Sequence, residues 1–198
     1  MSAKPAFRRA DPDLRRQSLI EACTRVLARL GVAGTSVRAI AQEAGVSPGL
    51  VNHYYASVDD LVAAAYAEVG VRVDRALEDA LCAAPLDSRA RLEAFATASF
   101  APPIADPQLL ATWIAFWGLA RSQPQIAAEH ARQYAAFRAR LEELLAACAV
   151  APAKLGRAAI AVTALIDGLW LELCLSPDTL VPDEARAIVR DSLDALIS

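Results

Sequence analysis

The chain has 198 residues, 56% of them hydrophobic and 22% charged, with a formal net charge of −3. This balance excludes a disordered chain, and abundant Ala and Leu beside few Val, Ile and Thr runs argue against a sheet protein. Charge is divided unevenly: residues 1–56 carry eight Lys and Arg against four Asp and Glu, a balance of +4, and the remainder stands at −7, so a basic head on an acidic body points to a polyanionic partner for the head.

The pattern predicts nine helices in an all-α fold. The first runs from about Asp13 to Leu30, with Leu19, Cys23, Val26, Leu27 and Leu30 on one face and Gly31 where a helix ends. A second runs from the cap Ser36 to Gly45, and a third from Ser47 and Pro48 to about Tyr55. Ser57 caps a long fourth helix over Val58–Ala83. Helices follow over about Arg89–Phe100, 108–122, Gln125–Ala149, Lys154–Leu175 and Glu184–Ile197, separated by the breakers "APPIADP", "VAPAK" and "SPDTLVPD".

The second and third helices, joined by a glycine turn, make a helix-turn-helix. Ala41, Val46 and Leu50 are expected to close their contact, and the outward residues Ser47, Pro48, Gly49, Asn52 and His53, with Tyr54 at the far end, would meet a DNA major groove. Asn52 suits an adenine edge, or is an ordinary surface amide. His53 contacts a phosphate or base, or is solvated. Tyr54 is expected to be able to donate to a phosphate and Tyr55 to fill the small core, and Arg38 would reach a guanine or the backbone unless it is a plain surface arginine. The head is assigned to residues 1–56 and the body to 57–198.

The stretch "TSVRAIAQEAGVSPGLVNHYYASVDDLVAAAY" (35–66) resembles the DNA-binding head of TetR-type transcriptional regulators, and the order of helices is similar along the whole chain. The resemblance implies a homodimer on a palindromic double-stranded operator and a small-molecule effector held by the body. It implies DNA contacts from Arg38, Ser47, Gly49, Asn52, His53 and Tyr54, with Ser36 and Val37 at the preceding helix start. Val58 departs from the pattern, which usually has a phosphate-binding lysine there; Lys4, Arg8 and Arg9 are the expected compensation.

In the body, Trp113, Phe116 and Trp117 share one helix, His130 and Tyr134 the next, and Trp170 lies near Asp167. Aromatics at this spacing pack a core or wall a cavity. Asp167 interrupts an apolar run and needs a partner: Arg121, Arg157, a tyrosine, or a cationic ligand among the tryptophans. "WIAFWGLARSQPQ" (113–125) and "ALIDGLWLELCLSPD" (164–178) resemble the BetI-type repressors of glycine betaine synthesis, which implies choline or a related cation as effector. Residues 154–175 and the amphipathic last helix (184–197) are the expected homodimer surface, pairing as a four-helix bundle.

Cys23, Cys82, Cys148 and Cys174 have no zinc or redox-pair spacing, so buried free thiols in a reducing compartment are expected, with neither metal nor other cofactor. The opening residues lack a signal-peptide core, and the apolar stretch 158–175 carries Asp167 and Glu172. It falls below the roughly 20 apolar residues of a membrane span. A cytoplasmic regulator is therefore expected, not an enzyme: His53 and His130 are the only histidines, and neither has a paired carboxylate or nucleophile. The alternative is a helical small-molecule sensor or enzyme with a lost DNA-binding role.

Overall fold

The computed structural model describes residues 12–197; Lys4, Arg8 and Arg9 lie outside the described residues. Among the described residues there are nine α-helices and no strand: α1 Pro12–Gly34, α2 Val37–Glu43, α3 Pro48–Tyr54, α4 Val58–Ala83, α5 Ser88–Ala98, α6 Pro107–Ala120, α7 Pro124–Ala147, α8 Pro152–Leu175 and α9 Pro182–Ile197. Helices α6 to α9 each begin on a proline, one or two residues before the expected start. Proline has no N–H to donate, and the first turn of a helix leaves its N–H groups without intrahelical partners anyway. Asp106 caps α6 by accepting from Gln108 N and Leu109 N, both at 3.0 Å.

Regular helix in α1 stops at Leu30, because Gly31 adopts φ 63° and breaks the run. Leu19, Cys23, Val26 and Leu27 are buried as the spacing predicts, but Leu30 stays 47% exposed just before the break. α1 packs along α6 and α4, and Thr112 Oγ1 donates to Thr24 O at 3.3 Å, so the first helix is docked onto the body. α2 lies on α1 and α3 lies on α2. Arg25 and Arg29 clamp Glu43 at 2.7 and 2.9 Å, fastening α1 to the end of α2 and holding the Glu43 carboxyl below its usual pKa through those hydrogen bonds. Two of the head's basic side chains are therefore engaged inside the head.

In the body, the long α4 packs on α5 and α7, and α6 and α8 pack on α7 and on each other. α8 is 24 residues long with a mean hydropathy of 1.8 over its most apolar window, so it is long and apolar enough to cross a membrane, contrary to the shorter stretch read from the sequence. Ala158, Ala159, Val162, Thr163, Ile166, Leu169, Trp170 and Leu173 turn that apolarity into the body's core. Its opposite face leaves Gly156, Ile160, Ala164, Gly168, Leu171 and Leu175 exposed, a stripe at nearly constant i, i+4 spacing. In α9, Ala185, Val189 and Leu193 point inward against α5 and α8 of the same chain, while Ile188 and Leu196 stay half-buried. Among the cysteines Cys23 alone is buried, and burial pushes its thiol up to about 12; Cys148 and Cys174 are half-buried and Cys82 is exposed.

Candidate functional site

The turn between α2 and α3 is built from backbone constraints. Gly45 has φ 65°, a left-handed conformation that costs any residue with a Cβ about 1–2 kcal/mol. That twist returns Val46 N to Ala41 O at 2.9 Å. Ser36, Ser47 and Ser57 each accept from the backbone N–H three residues on (Ala39, Leu50, Asp60) at 3.2, 3.3 and 3.1 Å, starting α2, α3 and α4. The residue that anchors α3 is Val51, fully buried with Ile40 and Ala41; Leu50 is only half-buried. The expected role of Leu50 thus falls one position later, since the inward face of so short a helix depends on how Pro48 enters it.

With Val51 inward, Ser36, Arg38, Ser47, Pro48, Gly49, Asn52 and His53 all face solvent. Val37 and Tyr54 are half-buried and pack on the core beside Tyr55. Tyr54 lies edge-on to His53 at 5.3 Å, with the Arg16 guanidinium 6.0 Å from its ring centre, leaving an edge rather than a free side chain at the surface. Burial raises the Tyr55 hydroxyl above the ordinary phenol pKa, in keeping with its core place. Val58, at the first position of α4, packs on the same core.

The body holds a cavity of about 50 Å³ between α4, α6, α7 and α8. Four of the seven expected effector residues line it: Trp113, Tyr134, Asp167 and Trp170. Trp113 and Trp170 meet edge to face at 5.4 Å, and Trp170 Nε1 donates to Ser99 O at 3.0 Å. The other three stand behind this wall. Trp117 Nε1 donates to Tyr134 Oη at 3.0 Å, Phe116 packs on Tyr66 with centroids 4.4 Å apart, and His130 lies against Tyr134 with its Nδ1 3.0 Å from Tyr66 Oη. Burial, then the charge of Arg138, pulls the His130 pKa below its ordinary value, which favours the neutral imidazole.

Asp167 takes neither Arg121 nor Arg157. Tyr134 Oη donates to its Oδ1 at 2.9 Å, and both tryptophans donate in turn to that hydroxyl, Trp113 at the long distance of 3.5 Å. Burial pushes the Asp167 carboxyl up to about 6, against the opposing pull of the Tyr134 hydrogen bond and the nearby Arg138. Burial first, then the Asp167 charge, also raises the Tyr134 hydroxyl, so it remains a donor. The lining contains no Lys, Arg or His. An incompletely compensated carboxylate among aromatic faces is a setting for a cation.

Sequence reasoning missed the α4 wall, Gly70, Val73, Asp74 and Leu77, along with Gln133 and Thr163. Val73 and Leu77 carry a helical i, i+4 signal that reads equally as core. Nothing local marks Asp74 as facing a cavity, because that depends on how α7 and α8 close over α4.

A solvent-facing helix-turn-helix, docked on a helical body whose cavity is walled by the helix leading out of that motif, defines a DNA-binding transcriptional regulator. Residues 19–65 match the family described as bacterial regulatory proteins, tetR family, and residues 88–198 match BetI-type transcriptional repressor, C-terminal. The chain belongs to the TetR family, in its BetI-type branch. It is similar to the HTH-type transcriptional regulator BetI of Vibrio atlanticus (strain LGP32), 31% identical over 185 residues and 92% of each chain, and to that of Burkholderia thailandensis, 32% identical over 94% of this chain and 95% of the other. Among solved structures, a Pseudomonas aeruginosa PAO1 protein assigned to the transcriptional regulators shares 43% identity with a TM-score of 0.86, covering 98% of this chain and 95% of that one. A Saccharomonospora viridis regulator solved in complex with choline shares the fold at 20% identity and a TM-score of 0.77, over 92% of this chain and 96% of its own.

Proposed function

We propose that the chain acts as a cytoplasmic homodimeric repressor on a palindromic operator, released or retained according to whether a choline-like or other small cation fills the body cavity. The observation carrying this reading is Asp167 beside Trp113 and Trp170 in a cavity walled by α4, the helix that begins immediately after the recognition helix. The division into a head (1–56) and a body (57–198) follows the same logic. One head presents too few base contacts for tight specific binding. Two heads reach successive major grooves about 34–36 Å apart, or a multiple of that spacing. The exposed apolar stripe on α8 supports the dimer, with the outer edge of α9 (Ile188, Leu196) contributing.

Asn52, His53, Ser47, Pro48, Gly49, Ser36 and Arg38 carry base and phosphate contacts in this reading, with Val37 and Tyr54 as supporting edges; Lys4, Arg8 and Arg9 add backbone contacts. The ligand shifts the equilibrium only by as much as its affinity differs between the DNA-competent and DNA-incompetent arrangements. The choline held by the Saccharomonospora viridis regulator supports a choline-like ligand. Fluorescence anisotropy with the inverted repeats upstream of the gene, against scrambled duplexes, tests DNA recognition; equal affinity at physiological salt refutes it. Calorimetry with choline, betaine and an uncharged apolar compound tests the effector; no heat from any cation removes that part. Val58, in a position where a lysine is expected, favours one second reading, a sensor that no longer binds DNA, and the anisotropy decides between them.

A further inference from the structure

The arginines of α1 are used in two different ways. Arg25 and Arg29 are held by Glu43 on the seam with α2. Arg16, nearer the start of the helix, is exposed, and its guanidinium stands 6.0 Å from the centre of the Tyr54 ring. Among the described residues no carboxylate pairs with Arg16, and nothing accepts from the Tyr54 hydroxyl. Burial raises the Tyr55 hydroxyl and the Arg16 charge pulls against that rise, so the same guanidinium lies near both residues that end α3. Val58 opens α4 three residues later. That opening turn brings no cation. Val58 packs on the core, and its neighbours are carboxylates: Asp59 accepts from Gln123 Nε2 and Asp60 from Ser57 Oγ, each at 2.9 Å. A polyanion meeting this edge of the head therefore finds its positive charge on α1 and not on α4. A guanidinium presents a rigid fork of N–H donors that matches phosphate oxygens, and an aromatic face restrains where the fork stands.

We propose that Arg16 is a phosphate-binding residue of the DNA-reading head: seated against Tyr54, its guanidinium donates to a backbone phosphate beside the groove that α3 enters, and so provides anchorage that Val58 does not. This rests on the operator-binding reading above and adds a residue of α1 to a face otherwise drawn from α2, α3 and the opening residues of the chain. The Tyr54 hydroxyl is a second donor at the same edge. A phosphate carries no sequence information, so Arg16 sets how the recognition helix sits on the duplex and strengthens binding to every sequence alike.

The test is fluorescence anisotropy over a series of salt concentrations with the full chain, Arg16→Gln and Arg16→Lys, on duplexes carrying the inverted repeats upstream of the gene and on scrambled duplexes. In Arg16→Gln the slope of log affinity against log salt should become shallower by about 0.9 for each head, hence about 1.8 for a two-headed complex, on both kinds of duplex. Between about 50 and 200 mM salt that difference is roughly tenfold in affinity. Arg16→Lys keeps the charge and should keep the slope. If Arg16 only props up Tyr54, its loss lowers affinity without moving the slope. Circular dichroism melting confirms that both variants are folded. An unchanged slope in Arg16→Gln, or an equal fall in Arg16→Lys, overturns the assignment of Arg16. A wild type without preference for the inverted repeats overturns the operator reading instead, and the slope on scrambled DNA still decides Arg16. No DNA binding by the wild type overturns both.

Discussion

Replacing Asp167 with Asn should make the protein more stable and less able to bind a cation at the same time. The carboxyl is raised from 3.8 to about 6 chiefly by burial. Roughly two pKa units correspond to about 3 kcal/mol of ionisation cost in the folded state at neutral pH. Because the folded pKa is the higher one, the stability linked to this group is fully present below the unfolded value near pH 4. It is lost as pH rises through about 6. Asn keeps an oxygen for the Tyr134 hydroxyl and removes the charge. The variant should gain about 2 kcal/mol at pH 7, a rise in Tm of about 4–8 °C for a chain of this size, and the gain should vanish near pH 4. Cation affinity of the wild type should rise with pH through about 6, since the ligand prefers the carboxylate; in the variant it should be weak and flat. Calorimetric melts at fixed protomer concentration, run from pH 4 to pH 8 with and without a cation, measure both effects. A variant that melts no higher than the wild type at pH 7, or binds the cation equally well, refutes the assignment of Asp167 as a strained and available carboxylate.

Asn52→Ala and His53→Ala should each weaken operator binding, by about 1–3 kcal/mol where the side chain reads a base edge, with affinity for scrambled DNA little changed in anisotropy titrations. Val58→Lys should tighten operator binding and steepen its salt dependence by about one phosphate contact; an unchanged slope shows that α4 starts too far from the backbone. Gly45→Ala should lower stability by about 1–2 kcal/mol in urea melts, since a Cβ there meets a strained φ of 65° with open space around it. Val51→Ala should cost about 2 kcal/mol and Leu50→Ala markedly less; the reverse order in melting experiments would put Leu50 back in the head's core.

Much of the architecture was legible because it is local. Period-3.6 apolar spacing marks the helices, Ser36, Ser47 and Ser57 accept from the N–H groups three residues on, and Gly31 and Gly45 stop helices where only glycine adopts a positive φ cheaply. The motif around residues 35–66 was legible for the same reason, since its turn is made by neighbours in sequence. Partners distant in sequence were less so. Asp167 was marked as needing one, and a tyrosine was among the candidates, but Tyr134 sits 33 residues away on another helix.

Sequence alone therefore determined the nine helices, their caps and the helix-turn-helix, all of which depend on contacts within a few residues. Tertiary packing decided the rest. Val51 rather than Leu50 anchors the recognition helix, and α9 turns Ala185, Val189 and Leu193 onto its own chain. Asp74 and Gln133 border the same cavity as Asp167. Which side of an amphipathic helix meets a neighbour, and whether a gap remains between them, is settled by how several helices close together, and helical periodicity carries no term for that.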